Sequence, residues 1–165
     1  MTKSSKALLK TVSMDQKQLL DNLLQLYLYE FTDYTDDDLN SLGRYDYEYF
    51  ESYFIDKDRY AYFIYMGTQL VGFCMVNQHS LLQNSYIHSI AEFFILRKYR
   101  KYGIGRAAAN EVLAKHGPSW EIPQLTQNKI AMKFWEKVIL EISNGNYQII
   151  LSSTKDKQTI KFEMV

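Results

Sequence analysis

The chain has 165 residues, 47% of them hydrophobic and 15% aromatic, and its 19 basic and 19 acidic residues give a formal net charge of zero. This size and composition predict one globular domain, residues 1–165, and exclude a disordered chain. Without net charge there is no whole-molecule attraction to nucleic acid or membrane, so we predict neither as a partner. The single Cys74 excludes a disulfide framework, and three scattered histidines show no ligand spacing, so no metal is expected. No secretory signal or membrane-length apolar run is visible, and we predict a soluble, cytoplasmic protein.

Hydrophobic periodicity and turn residues divide the chain into strands and helices. Asp15 is predicted to cap the first helix, Gly67-Thr68 indicates a hairpin, and Gly117-Pro118 stops a later helix. The predicted elements are a strand at 7–12, helices at 15–31 and 45–54, strands at 59–66, 70–77 and 86–96, a helix at 104–116, a strand at 120–125, a helix at 129–140, and strands at 147–152 and 159–164. This order, β-αα-β-β-β-α-β-α-β-β, predicts an α/β domain with a mixed sheet.

Charge is balanced overall but not locally. Residues 30–58 carry ten acidic and two basic side chains, whereas residues 97–106 carry five basic and no acidic ones. Most of these charges fit an ordinary solvated surface. The sharper interpretation is a domain with one face that attracts cations and another that attracts phosphate.

The segment Arg100-Lys101-Tyr102-Gly103-Ile104-Gly105 lies between a predicted strand and a predicted helix. Glycines let the backbone bend sharply and approach phosphate oxygens closely. Successive N–H groups then face one concavity, and the helix that follows adds its positive end. The segment therefore predicts a pyrophosphate-binding loop.

Two other interpretations of these glycines are possible. Gly103-x-Gly105-x-x-Ala108 also fits the dinucleotide fingerprint, with Glu121 at a plausible distance for the ribose. That fingerprint needs its first glycine directly at the strand end, and too few residues follow for a doubly wound sheet. A glycine turn without a ligand would leave the neighbouring basic cluster unexplained.

The pattern Arg-x-x-Gly-x-Gly resembles the acetyl-CoA-binding motif of the GNAT superfamily of N-acetyltransferases. Farther along, the segment from Asn128 to Trp135 is similar to the family's second motif, Asn-x-x-Ala-x-x-Phe-Tyr, with Trp135 in place of the tyrosine. Residues 92–138 carry the strong resemblance, and residues 1–91 match in the order of elements. Phe-Trp instead of Phe-Tyr resembles a poorly characterised, bacterial-type subgroup.

The resemblance implies a fold, a cofactor and a reaction. In the GNAT fold the fourth and fifth strands splay apart, because an irregularity in the fourth strand, which we expect to be a bulge, opens a gap. The pantetheine of acetyl-CoA inserts there. The family moves the acetyl group to an amine by direct attack, so the expected acceptor is a primary amine of a small molecule or peptide. A homodimer is left open.

The resemblance also implies which residues hold acetyl-CoA. The glycine loop contributes mainly backbone N–H groups, and Phe93 and Ile95 line the pantetheine through their main chains. Both side chains also fit an ordinary core, and Lys133 fits a solvated helix lysine equally well. The implied cofactor-binding residues are Phe93, Ile95, Arg100, Lys101, Tyr102, Gly103, Ile104, Gly105, Arg106, Asn128 and Lys133.

Catalysis requires a proton acceptor, because an alkylamine is mostly protonated at neutral pH. Glu92 is the main candidate, since it interrupts an apolar strand beside the glycine motif. It could instead be a strand-edge acid in solvent or paired with an arginine. His88, nominally on the same strand face, is a weaker candidate. In many members of the family a tyrosine at the position of Trp135 protonates the leaving thiolate. An indole can donate a hydrogen bond but cannot supply that proton, so another tyrosine or solvent would have to do so.

The acceptor site implied by the fold lies among the first two helices, their loop and the sheet. Aromatic rings and carboxylates in this region suit a cationic amine, and the same tyrosines also fit a core. They are Tyr27, Tyr29, Tyr34, Tyr45, Tyr47, Tyr49 and Tyr53. The loss of the tyrosine at position 135 keeps a second hypothesis open, a GNAT-fold sensor or interaction module that binds acetyl-CoA without turnover.

Overall fold

The computed structural model describes residues 6–81 and 86–165. Short 3-10 turns at Met14–Gln16 and Arg97–Tyr99 supplement the main elements. The strands are β1 (Ala7–Thr11), β2 (Arg59–Met66), β3 (Gln69–Asn77), β4 (His88–Ile95), β5 (Ser119–Leu125), β6 (Tyr147–Leu151) and β7 (Lys157–Glu163), and the helices are α1 (Lys17–Phe31), α2 (Ser52–Ile55), α3 (Ile104–His116) and α4 (Lys129–Ile142). The predicted order of elements is confirmed. The predicted strand at 86–96 begins later, at His88, and residues 82–85 lie outside the described part of the chain.

One seven-stranded mixed sheet has the order β1-β2-β3-β4-β5-β7-β6. Neighbouring strands are antiparallel except β4 and β5, which are parallel and pair at only two positions, His88 with Trp120 and Ser89 with Glu121. Beyond these positions the two strands diverge. On its other side, β4 skips a residue, because Met75 of β3 pairs with Glu92 and Val76 with Ile90. Ala91 is therefore the extra residue of a β-bulge, and the predicted irregularity and splay are confirmed.

The sheet separates two hydrophobic cores. On one face, which we call the α3 face, α3 and α4 bury Ile104, Val112, Leu113 and Ile139 against Trp120 and its neighbours. On the opposite face, the α1 face, Leu20, Leu23 and Leu24 of α1 pack with Phe63, Phe73 and Phe94. These leucines form one buried stripe, because residues three and four apart share one helix side. The glycine loop thus follows β4 at the entrance to α3.

Two predicted helix boundaries on the α1 face are wrong. Ser13 rather than Asp15 precedes the helical segment, and its backbone N–H donates to Oε1 of Gln16 at 3.2 Å. The second helix spans only Ser52–Ile55 instead of 45–54. Gln25 of α1 explains the difference, because its amide bonds both backbone groups of Tyr45, at 2.8 Å and 2.9 Å. These bonds hold the loop before α2 extended instead of helical.

Two features are absent from the described residues. No helix in residues 6–81 and 86–165 is long and apolar enough to cross a membrane. In the same residues, no three His, Cys, Asp or Glu side chains are grouped as a metal site would require.

Candidate active site

The glycine loop adopts the backbone geometry that its sequence predicts. Lys101 and Gly103 have positive φ values of 71° and 76°, and Gly103 is the N-cap of α3. In the described chain, no acceptor is found for the backbone N–H groups of residues 101–106. At Gly105 an added Cβ would lie 3.3 Å from Cε2 of Phe134. The loop therefore presents a run of free N–H groups at a helix N-terminus, which suits an anionic group.

The basic side chains near this loop are mostly committed to acids. Glu30 at the end of α1 accepts from Nε of Arg97 at 2.9 Å and from Nη2 of Arg100 at 2.7 Å. Arg106 pairs with Glu141 at 2.6 Å. Arg100 also donates from Nε to the carbonyl oxygen of Ile95 at 2.6 Å. Glu30 lies between Arg97 and Arg100 and offsets one of their two positive charges, so the charge that Arg100 offers to a phosphate is reduced. The predicted contact of Arg100 with a cofactor stays a prediction.

Two lysines keep their charge available at the loop. Among the described residues, neither Lys98 nor Lys101 has a carboxylate at ion-pair distance. Both side chains are exposed, and the Nζ of Lys98 lies 5.4 Å from the ring centre of Tyr99. Any attraction of this loop for phosphate is thus expected to come from the lysines and the backbone.

Beyond Ser89, the side of β4 that faces β5 has no strand partner in the described chain. Phe93 lies along this open edge, stacked on Phe134 at 5.7 Å between ring centres and edge-on to Trp135 at 5.1 Å. Trp135 is buried in the α3-face core. The gap is therefore bordered by apolar rings on one side and by strand backbone on the other, an arrangement that suits an extended amide-containing chain.

Glu92 stands on β4 directly after the bulge and faces the α1 side of the sheet. Tyr47, in the loop before α2, donates from its hydroxyl to Oε1 of Glu92 at 3.0 Å. Tyr27 of α1 supplies a second side-chain hydrogen bond. Burial raises the pKa of Glu92 to about 7, although both tyrosine hydrogen bonds oppose that rise. Burial and the nearby carboxylate also raise the pKa values of Tyr27 and Tyr47. The carboxyl can therefore exchange a proton near neutral pH while the tyrosines stay neutral.

His88 lies on the opposite face, so the prediction that it shares a face with Glu92 is wrong. Its ring centre is 5.1 Å from that of His116 on α3 and 5.4 Å from that of Trp120. The bulge explains the error, because one extra residue shifts the in–out alternation of a strand. His116 shares a hydrogen bond of 2.7 Å between its Nε2 and the hydroxyl of Tyr62. Burial, followed by His88 and Lys115, lowers the pKa of His116 to about 4.

The two residues of the second motif have different positions. Asn128 is the N-cap of α4, and its Oδ1 accepts from the backbone N–H of Ala131 at 3.0 Å. Lys133 is exposed on the same helix. Their predicted contacts with a cofactor remain predictions, and the cap gives Asn128 a structural role as well.

An acidic hollow lies on the α1 side of the molecule. It has a volume of about 150 Å³ and is lined by Leu28, Asp37, Asp38, Tyr45 and Asp46. Carboxylates beside an aromatic ring favour a cation over an anion. The charge asymmetry of the sequence thus becomes a spatial one, with acids beside α1 and free lysines beside the glycine loop.

Tyr27 and Tyr47 were predicted only as two of seven acceptor-site tyrosines, and Glu30 only as part of an acidic stretch. Their contacts with Glu92 and the arginines were not predicted. Tyr27 continues the buried leucine stripe of α1, so helical spacing predicts that it faces inward but does not predict its contact with Glu92. Nothing local marks Tyr47 or Glu30, because their partners are 45 residues away for Tyr47 and 67 and 70 residues away for Glu30. Glu121, considered above for a ribose, is fully buried and accepts from the Oγ of Ser80 and the N–H of Leu81, each at 2.7 Å.

The chain shares its fold with solved acetyltransferases. An acetyltransferase from Thermus thermophilus superposes with a TM-score of 0.73 at 14% identity, over 96% of this chain and 97% of that one. PaiA N-acetyltransferase from Thermoplasma acidophilum, in complex with coenzyme A, gives a TM-score of 0.61 at 12% identity over 96% and 99%. A putative streptothricin acetyltransferase from Bacillus anthracis str. Ames, in complex with acetyl coenzyme A, gives 0.54 at 16% over 98% of each chain. No curated protein matches the sequence.

The family model of the acetyltransferase (GNAT) family matches residues 21–139. The chain therefore belongs to the GNAT family, as its glycine motif indicated. The matched range includes most of α1, the bulged strand, the glycine loop and most of α4.

Proposed function

We propose that this protein is an N-acetyltransferase that transfers an acetyl group from acetyl-CoA to a primary amine of a small molecule or peptide. The observation that carries the proposal is Glu92, a carboxyl with a pKa of about 7 beside the open edge of β4. A general base works best when its pKa lies near the working pH, because it is then both available and basic enough. A partly buried acid beside an aromatic core would otherwise only cost stability.

The residues of the chain fit acetyl-CoA. The free N–H groups of residues 101–106 and the two exposed lysines suit a pyrophosphate, and the open edge of β4 at Phe93 and Ile95 suits the pantetheine amides. Acetyl-CoA supplies the activated acetyl group: the amine nitrogen bonds to the carbonyl carbon as the carbon–sulfur bond breaks. No metal takes part in the proposed reaction.

Glu92 takes a proton from the ammonium form of the acceptor, directly or through a water molecule, and releases it to solvent. After the attack, the nitrogen loses its second proton to solvent as the amide forms. Tyr27 and Tyr47 orient the carboxylate by donating hydrogen bonds. Their raised pKa values make both hydroxyls poor acids. Trp135 cannot act as an acid either, so the leaving thiolate takes its proton from solvent.

The acceptor enters from the α1 face, where the acidic hollow lies. One structural neighbour is the spermidine/spermine N-acetyltransferase SpeG from Vibrio cholerae, with a TM-score of 0.60 at 10% identity over 96% of this chain and 93% of that one. Such a likeness shows the fold alone, so the acceptor must be found by experiment. The charge around the hollow favours amines that carry positive charge.

The test is an amine screen with acetyl-CoA in which thiol release is measured. The panel contains a polyamine, a peptide with a free N-terminus, a free amino acid and an aromatic monoamine. Thiol release that depends on one amine and on Glu92 supports the proposal, with Glu48→Gln as a control because Glu48 is exposed. Calorimetric binding of acetyl-CoA without thiol release for any amine would favour the sensor, the hypothesis suggested by Trp135 in place of the family's tyrosine. Absence of acetyl-CoA binding overturns both.

A further inference from the structure

The outermost strand of the sheet, β6, exposes apolar side chains. Ile149, Ile150 and Leu151 are 49%, 38% and 54% exposed, although β6 pairs with β7 along its length. In the described part of the chain, no strand lies on its outer side. Three consecutive exposed apolar residues on a sheet edge are a template for pairing with another strand.

The backbone of this edge is available for that pairing. Just past β6, the N–H of Ser152 donates to the carbonyl of Lys157 at 2.9 Å, so this pair bonds inward. Antiparallel ladders alternate between bonded and non-bonded pairs. Gln148 and Ile150 therefore bond β7, whereas Tyr147, Ile149 and Leu151 direct their N–H and C=O groups outward.

The opposite edge of the sheet, β1, is better protected than β6 against pairing with another chain. Only Leu8 is a strongly exposed large apolar residue there, at 47%. Lys10 follows it, with its Nζ lying 4.6 Å from the ring centre of Tyr65. A charged side chain on an edge strand opposes pairing with another chain. Residues 144–154, in contrast, contain no charged side chain at all.

We propose that β6 is a dimer interface, and that its partner is β6 of a second copy of this chain. The two strands pair antiparallel about a twofold axis at Ile149. Ile149 then faces Ile149 of the partner subunit, and Tyr147 faces Leu151 of the partner subunit. Tyr147, Ile149 and Leu151 each meet an apolar or aromatic side chain, Ile150 faces Gln148 of the partner subunit, and no like charges are opposed, so the strand is complementary to itself. The result is a continuous fourteen-stranded sheet across two copies.

Side-chain placement supports this register. Tyr147 packs against the α3-face core and its hydroxyl lies 3.5 Å from Oε1 of Glu136 on α4. Alternate residues of a strand share a face, so Ile149 and Leu151 lie on that same side. The dimer would bury one apolar stripe beside α4 of each copy. Glu92 stands on β4, separated from β6 by β5 and β7, so the interface does not depend on the proposed function.

Sedimentation over a range of protein concentrations tests the proposal. The wild-type mass is expected to rise from 19.5 kDa to twice that value as concentration increases. Ile149→Lys is expected to weaken association about tenfold or more, because the twofold axis opposes two cations. Leu8→Lys makes the same change at an equally exposed position on the other edge and is expected to leave association unchanged. A wild-type chain that stays monomeric, or a dimer lost only through Leu8→Lys, overturns the proposal.

Cysteine cross-linking tests the register and does not depend on the folding of the lysine variant. Opposed Cα atoms in a bonded antiparallel pair lie about 5.5 Å apart, a distance that a disulfide can span. Ile149→Cys is expected to form a covalent dimer on mild oxidation, while Cys74 is fully buried and should not contribute. Leu151→Cys alone is expected not to link, but it should link to a second chain carrying Tyr147→Cys. Failure of Ile149→Cys to link, with wild-type chains associated, overturns this register and the proposed interface.

Discussion

On each face of the sheet, burial shifts the pKa of an ionisable group in the direction that favours its uncharged form. On the α1 face, burial raises the pKa of Glu92 to about 7. On the α3 face, burial lowers the pKa of His116 to about 4. At neutral pH Glu92 is therefore close to its own pKa, whereas His116 is fully neutral and acts as one more ring beside Tyr62. The same physical cause thus produces a usable base on one face and a structural side chain on the other.

The largest expected effect is the loss of turnover when Glu92, on the α1 face, is substituted. Glu92→Gln keeps the shape and removes the base, so turnover with an amine acceptor should fall roughly 10²-fold or more. The wild-type rate should rise with pH through about 7, since Glu92 accepts a proton only when ionised. The loss should shrink as pH rises, because free amine becomes available without the enzyme. Steady-state rates at several pH values measure both effects.

The control for that experiment is His116→Phe on the other face. It changes a partly exposed ring without touching Glu92 and should leave turnover within about twofold at neutral pH. Equal loss in the two variants would contradict the assignment of catalysis to the α1 face. Wild-type turnover in Glu92→Gln at pH 7 would remove Glu92 from the mechanism.

The next effect concerns the glycine loop. Gly103→Asp or Gly105→Asp should weaken acetyl-CoA binding at least tenfold, about 1.4 kcal/mol, because a side chain and a negative charge enter the pyrophosphate position. Gly67→Asp is the matched control, since Gly67 has φ of 61° in a hairpin and an added Cβ there would contact nothing within 4 Å. Calorimetry on folded variants gives the comparison. Unchanged affinity in both loop variants would place the cofactor elsewhere.

A third experiment measures how Glu92 and His116, whose pKa values are shifted by the fold, change the free energy of unfolding with pH. Glu92 holds its proton more tightly when folded, so its contribution to stability should fall as pH rises from about 4.5 to about 7. His116 holds its proton less tightly when folded, so its contribution is present above about 6.5 and is lost as pH falls to about 4. His116 is partly exposed, so solvent screening leaves an effect of about 1 kcal/mol.

Urea unfolding at several pH values separates the two contributions. Glu92→Gln should make the remaining stability rise more steeply with pH, and His116→Phe should make it fall more steeply. Identical pH slopes in wild type and both variants would mean that neither group is perturbed by the fold. Groups facing His116 are His88, Lys115 and Tyr62, so variants at these positions must be avoided as controls.

The smallest expected effect is a change in the salt dependence of acetyl-CoA binding. It distinguishes basic side chains at the glycine loop that lack an acidic partner from those that have one. Glu30 pairs with both Arg97 and Arg100 and offsets one of their two charges, whereas Lys101 has no acidic partner in the described ranges. Lys101→Ala should therefore flatten the salt dependence of acetyl-CoA binding, with an affinity change of roughly threefold or less at low salt. Arg100→Ala should change the slope less. A steeper change in Arg100→Ala would show that Glu30 releases this side chain when the cofactor binds.

The sequence predicted those parts of the fold that depend on local pattern. The bounds of β2 and α3 agree with prediction because hairpin glycines and a glycine–proline stop mark them. Helix α2 was predicted too long because Gln25, twenty residues away, bonds the backbone of Tyr45. A side-chain bond of that kind leaves no signal in a propensity pattern.

The same distinction between local pattern and long-range contact applies to the candidate site. The glycine loop and Glu92 were identified because each departs from its local pattern. His88 was assigned to the wrong face because Ala91 shifts the alternation of β4, and the residue itself carries no mark of a bulge. Tyr47 and Glu30 act across long sequence separations, so only the folded chain shows them beside Glu92 and the arginines.

The two-pair junction between β4 and β5 also has a consequence for folding. Strands β1–β4 come from residues 7–95 and strands β5–β7 from residues 119–163, so each antiparallel block is continuous in the sequence. Mostly local pairings reduce the entropy lost in closing loops, and continuous blocks tend to act as cooperative units. We expect native-state hydrogen exchange to resolve these two blocks as separate units. In a chain being synthesised, the first block has all its strands before the glycine loop has left the ribosome.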